Sequence, residues 1–401
     1  MQVTSVKEFL SNKKIIFFLL GTFFLISNMA TSFTVVPIYL MSKGATVAQV
    51  GISTAFYSIV AIILRVFLGP IADRKGRKPS MLASAVAFAL ASLLIWWAPS
   101  FYLHLAARCV QAIGLAFFMS TGSSVVSDVA TNAVQGSCMG IYRGFLNLGF
   151  MLGPVISIGI SKIGYGEMFI ANILMAGIAG ILFSLVPETG KNTEKTKHES
   201  LLKNYQELLK NKKLILFYLL IVSFSMGYGA IMSNAGIYLQ TIPNIWSSAL
   251  FLFLISGTGF LACLIAGRLV DLFGIKRVLL PAICFAVAGL VAMFTVQYFG
   301  NIAYILAAIC FGIGNNGAVT CVVTGIGGAT RGELKATSFS VQESSIDGGN
   351  AIGSIVFGLV ATYIGLGKGF LAIAMLIALS SGILVVLAFN KKKVGKMDDQ
   401  N

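Results

Sequence analysis

The stretch Gly69-Pro70-Ile71-Ala72-Asp73-Arg74-Lys75-Gly76-Arg77-Lys78 decides how this chain is read. It packs five charges and two glycines into ten residues, after one long apolar run and directly before another, Pro79 to Trp97. A charged hairpin between two such runs reads as a tight turn just outside a bilayer. A weaker copy, Gly267-Arg268-Leu269-Val270-Asp271-Leu272-Phe273-Gly274, lies between two later apolar runs. Its glycines and aspartate stand 198 residues further on (267 minus 69), which implies two halves built alike in the 401 residues.

Composition supports the bilayer. The chain is 57% hydrophobic and only 11% charged, where a soluble domain carries about a quarter charged residues. A spanning helix takes about 20 mostly apolar residues. Twelve runs qualify, near residues 15–41, 48–72, 79–98, 101–126, 137–160, 167–187, 214–239, 246–270, 277–298, 301–325, 336–364 and 366–389. The expected fold class is an all-α polytopic membrane protein with twelve transmembrane helices. The first run is too long for a cleaved signal peptide and lacks a small-residue cleavage site.

A net charge of +15 would suit nucleic acid, but the positions of the charges read as topology instead. With the amino terminus inside, Lys7, Lys13, Lys14, Arg74, Lys75, Arg77 and Lys78 face the cytoplasm. So do Lys191, Lys195, Lys197, Lys203, Lys210, Lys212 and Lys213 in the middle loop, then Lys276, Arg277, Arg331, Lys335 and the tail Lys391-Lys392-Lys393. The opposite side keeps only Lys43, Lys162 and Lys368. Basic residues concentrate on the cytoplasmic side of membrane proteins, so both termini are expected there, in the inner (plasma) membrane.

The six cysteines fall in or at the ends of spans, with no CxxC spacing, and read as free thiols packing like small apolar residues. His104 and His198 are placed on opposite sides of the membrane and cannot share a metal. No nucleophile–base arrangement appears, so neither an enzyme nor a metal or other cofactor is expected. The one long polar segment, residues 188–213, divides the chain into six runs before it (1–187) and six after it (214–401). Within it Leu201, Leu202, Tyr205, Leu208 and Leu209 share one helical face, as in a helix lying along a membrane surface.

Gly76 suits a reversal because glycine adopts backbone conformations other residues resist. Gly69 removes a side chain where a neighbouring helix can come close. Asp73 is an anion able to face the positive amino terminus of another helix. Two six-span halves, a cytoplasmic connector and this repeated turn resemble the major facilitator superfamily over essentially the whole chain. The turn matches that family's signature at Gly69, Asp73, Arg74, Gly76, Arg77 and Lys78. The resemblance implies two pseudo-symmetric six-helix bundles that enclose a site near mid-membrane and rock against each other. It also implies that the turn latches onto the eleventh span, with Asp128 as the partner of Arg77.

Two further elements resemble the family's proton-coupled exporters. Gly149-Phe150-Met151-Leu152-Gly153-Pro154 matches the GxxxGP element of the fifth span, although Ser157 and Ile158 replace its later glycines. Arg108-Cys109-Val110-Gln111-Ala112-Ile113-Gly114 resembles the R-x-x-Q-G-x-G element of the fourth, with Ala112 for the first glycine. The resemblance assigns Arg108 to proton coupling. A charge at that depth needs a partner or a wet cavity in any case.

Of 14 acidic residues, Glu343 and Asp347 stand apart, inside a span. At ~1.5 Å per residue from Ala336 they lie roughly 11 and 17 Å along the helix, the second near the centre of a ~30 Å core. Their i, i+4 spacing places them on one face, where two carboxylates do not easily both ionise. They are the candidate proton sites; Glu343 has the structural alternative of pairing with Arg143 or Arg65. The spans that line the site in the family offer Asn28, Phe33, Gln111, Tyr228, Asn234, Asn315 and Asn316 as candidate substrate contacts, with Arg143 added from the fifth. Each is equally readable as interhelical glue.

These expectations describe a monomeric secondary transporter that exports a small organic or amphipathic compound in exchange for protons. An importer or exchanger of small organic anions, using Arg108 and Arg143, is the second reading. A non-transporting membrane sensor or assembly factor is the third. Nucleic acid is not an expected partner.

Overall fold

The computed structural model describes residues 2–189 and 201–389. Lys191, Lys195, Lys197, His198 and the tail cluster Lys391-Lys392-Lys393 lie outside the described residues. Among the described residues the helices run α1 (Val6–Ser11), α2 (Lys13–Ser42), α3 (Val47–Lys75), α4 (Arg77–Trp97), α5 (Phe101–Val129), α6 (Gln135–Ser161) and α7 (Tyr165–Ser184). They continue as α8 (Leu201–Lys210), α9 (Lys212–Gln240), α10 (Ser248–Phe273), α11 (Ile275–Phe299), α12 (Asn301–Ala329), α13 (Lys335–Ile364) and α14 (Leu366–Phe389). Eleven of these are long and apolar enough to cross a membrane. The remaining long helix is α13, thirty residues that carry Glu343, Asp347 and a run of serines and glycines. Backbone polar groups have no water to bond in a bilayer core, so helices that satisfy them internally are the fold such runs must adopt.

The described chain divides into two units. The first is Met1–Gln206 together with Thr330–Ser344; the second is Glu207–Ala329 with Ser345–Asn401. In the first, α2 packs on α6 and α7, α4 on α5 and α7, and α3 on α5. Lipid tails are as apolar as leucine, so close approach of small residues is what brings such helices together. A Cβ on Gly153 would stand 2.7 Å from the Ser27 backbone, and one on Gly149 would stand 2.9 Å from Ile26. The Gly149–Gly153 face is therefore where α6 meets α2. Pro154 follows it inside α6. In the second unit α12 packs on α10 and α11, and α14 on α9 and α11.

Short segments close the ends of the first unit. Val3 is fully buried and pairs with the α5–α6 connection, its N–H donating to Val129 O at 2.9 Å and its O accepting from Thr131 N at 3.1 Å. Tyr205 of α8 donates to Val66 O at 2.7 Å. The apolar face expected on α8 is only partly covered: Leu208 is 3% exposed and Leu209 56%. The side chains of Leu201 and Leu202 lie outside the described ones.

Candidate functional site

The opening hairpin is where the first unit concentrates its charge. Helix α3 ends at Lys75, Gly76 reverses the chain with φ 101°, and α4 begins at once with Arg77. No side chain next to α4 caps its first turn. Glu188, 111 residues away, does so instead: its carboxylate accepts from Arg77 N at 2.6 Å and Lys78 N at 3.2 Å. A carboxylate at a helix amino terminus meets both the unpaired N–H groups and the positive end of the dipole. A Cβ on Gly76 would lie 2.6 Å from that carboxyl, so glycine serves both the turn and the cap.

Asp73 occupies the other end of the hairpin and caps α13. It accepts from Ala336 N (2.9 Å), Thr337 N (2.8 Å) and Thr337 Oγ1 (2.6 Å). Its fourth bond comes from Arg77 Nη1 at 2.7 Å, which fills the acceptor capacity of the carboxylate. Arg77 is fully buried and bonds Asp128 through Nε at 3.1 Å; Lys335 pairs with the other oxygen of Asp128 at 3.2 Å. A Cβ on Gly69 would stand 2.8 Å from that of Ser340, so its glycine lets α3 lie against the first turns of α13. The structure thus brings together Gly69, Asp73, Gly76, Arg77 and Asp128, whereas Arg74 is exposed. Beneath them, burial and the charge of Asp73 push the Tyr205 hydroxyl up to about 12, so it remains a donor to Val66.

A second network surrounds Arg108. The guanidinium is 1% exposed and bonds Ser53 Oγ (3.1 Å), Gln111 Oε1 (2.8 Å) and the Ser32 carbonyl (3.2 Å). The Tyr57 ring lies 5.6 Å from it, with Phe33 edge-on to Tyr57. His104 Nε2 meets Ser53 Oγ at 2.7 Å, and Gln111 Nε2 donates to Ser32 Oγ. Among the described residues no carboxylate pairs with Arg108. Neutral dipoles and an aromatic face hold its charge, an arrangement that hydrogen-bonds the group without neutralising it.

The carboxylates of α13 fall on different units. Glu343 is 4% exposed, accepts from Gln342 Nε2 at 3.1 Å and lies within electrostatic range of Tyr142. Asp347, four residues on, is half-buried and belongs to the second unit. Arg143, one of the two arginines expected as a partner for Glu343, has its Nε and Nη1 buried with no hydrogen-bond partner.

The other candidate contacts divide by environment. Asn28 donates to the Asn172 carbonyl at 2.6 Å and Ser92 Oγ at 3.2 Å, which ties α2 to α7 and α4. Phe33 is 41% exposed. In the second unit Tyr228 and Asn234 are half-buried, and Asn234 bonds its own helix at Ala230 O. Asn316 bonds Gly312 O, whereas Asn315 Oδ1 is buried without a partner. Sequence reasoning missed Glu188, Lys335 and Thr337 at the hairpin, and Ser53, Tyr57 and His104 around Arg108. The one usable signal was Pro187-Glu188, a carboxylate directly after the sixth run.

The family model described as Major Facilitator Superfamily matches residues 18–346. Citrate exporter 1 of Aspergillus niger is 29% identical over 135 residues, which is 33% of this chain and 26% of that protein. Multidrug transporter MdfA of Yersinia pestis is 27% identical over 175 residues, 43% of this chain and 42% of the relative. The chain therefore matches well under half the length of these relatives. Among solved structures, the E. coli fucose:proton symporter FucP superposes with a TM-score of 0.75 at 16% identity, covering 94% of this chain and 99% of that one. At that identity the likeness is one of fold.

Proposed function

The chain belongs to the Major Facilitator Superfamily and is a transporter, not an enzyme; from that premise we propose that it exports a small organic or amphipathic compound in exchange for protons, by alternating access. The observation that carries this reading is α13, a thirty-residue helix with the buried Glu343 and, four residues on, Asp347. A carboxylate at membrane depth is costly to leave charged, so it binds and releases a proton as its surroundings change. Export is favoured by the resemblance of Gly149–Gly153–Pro154 to the element of the family's proton-coupled exporters; in the fold its glycines pack closely against α2. Two of the similar proteins are named for efflux or drug transport, which points the same way.

In this reading Asp347 and Glu343 carry the proton, and Arg108 responds to it. Gly69, Asp73, Gly76, Arg77 and Asp128 form the latch that holds the first turns of α13. The protein acts as a monomer in the plasma membrane with both termini cytoplasmic. Proteoliposomes loaded with a pH-sensitive dye test it, with proton flux read as organic anions, cations and neutral solutes are added under a pH gradient. Asp347→Asn is expected to insert and unfold like the parent yet lose solute-driven proton flux. Undiminished flux in that variant would remove Asp347 from the mechanism.

A further inference from the structure

The buried charges of the first unit do not balance. Away from the Asp73 network, its described interior holds Arg65, Arg108 and Arg143 against a single carboxylate, Glu343. Arg108 has three polar partners and an aromatic face. Arg143 has neither: it is 8% exposed, and its Nε and Nη1 have no acceptor.

Its position is nevertheless well fixed. The Arg143 carbonyl accepts from Asn147 Nδ2 at 3.0 Å. The adjoining Tyr142 is fully buried and stacks on Phe18 with ring centroids 5.6 Å apart. A side chain at Gly122 would collide with the Tyr142 hydroxyl, so α5 and α6 are held close at this level. The guanidinium sits on a rigid helix, out of water, with donors left over. Such a group is expensive to maintain as packing alone, because buried N–H groups without an acceptor cost stability. Its planar fork matches the two oxygens of a carboxylate.

We propose that the transported compound carries a carboxylate, and that Arg143 binds it. The inference rests on the transporter reading and adds the substrate class to it. Arg108 reinforces the preference, since its charge is held by neutral groups and adds to the positive field of the same unit.

Two measurements test this on the purified full-length protein. Thermal unfolding of the wild type is followed with citrate, benzoate and the lipophilic cation tetraphenylphosphonium. The anions are expected to raise the midpoint and the cation is not. The second measurement is flux of the same probes in proteoliposomes. Arg143→Gln should lower anion flux at least about tenfold, the loss of one charge-assisted contact. It should abolish the anion-induced shift while the ligand-free variant unfolds no earlier than the wild type; a purely structural arginine would lower that temperature. Arg143→Lys should keep part of the flux. If the protein binds and moves tetraphenylphosphonium but neither anion, or if Arg143→Gln moves anions like the wild type, the inference falls and the transporter reading stands. If no probe is moved and none drives proton flux, both fall.

Discussion

At Gly76 and at Gly274 the backbone does the same thing. A long helix ends, one glycine with positive φ (101° and 79°) reverses the chain, and the next residue starts a new helix. Both glycines also donate to the carbonyl four residues back, Ala72 and Val270. The surroundings differ. Gly76 and Arg77 are buried beneath Glu188, Asp73 and Asp128, whereas Gly274 is exposed with nothing near its missing Cβ. Where the first copy has Arg77, the second has Ile275. The comparison separates two demands that one motif conceals. The glycine is required by the reversal itself, while the arginine is required only where a second helix amino terminus and a distant carboxylate dock on the turn.

The largest test removes the arginine. Arg77→Ala leaves the buried carboxylate of Asp73 without its cation and Asp128 with Lys335 alone, so a loss of about 3–5 kcal/mol in unfolding free energy is expected. Ile275→Ala at the equivalent place should cost roughly 1 kcal/mol, the price of trimming a half-buried aliphatic chain. Equal losses would break the contrast. Next come the glycines. Gly274→Ala meets open space and should cost only the backbone strain, about 1–2 kcal/mol. Gly76→Ala adds displacement of Glu188 and should lose roughly 1 kcal/mol more. Chemical denaturation in detergent ranks the two. The smallest effect is expected of Glu188→Gln, which keeps one acceptor oxygen, for Arg77 N, while it removes the charge and the second acceptor at Lys78 N. A fall of about 0.3–1 kcal/mol that shrinks in high salt identifies the dipole contribution. No salt dependence would reduce Glu188 to a neutral cap.

The frame was legible because its signals are local. Run 101–126 became Phe101–Val129 and run 301–325 became Asn301–Ala329, since twenty apolar residues in a bilayer have few alternatives to a helix. Asp73 at a foreign helix amino terminus was also readable, because an aspartate flanked by glycines in a charged turn has little else to do. The partners of Arg108 were not. Ser53 and Ser32 lie 55 and 76 residues away, and a serine carries no mark of the bond it will make. Glu188 looked like the first residue of a connector, since its role is set by a fold that brings residue 188 under residue 77. Asn28 illustrates the opposite ambiguity: its amide ties α2 to α4 and α7, a use that composition cannot separate from ligand contact.

The connector has a mechanical side. It is fastened to the first unit twice, by Glu188 on the α4 amino terminus and by Tyr205 on Val66. Both fastenings are on the same unit, so a variant that breaks one of them leaves the other to hold the connector there. Beyond Tyr205 the helix α8 runs on to Lys210, and after the single residue Asn211, Lys212 opens α9.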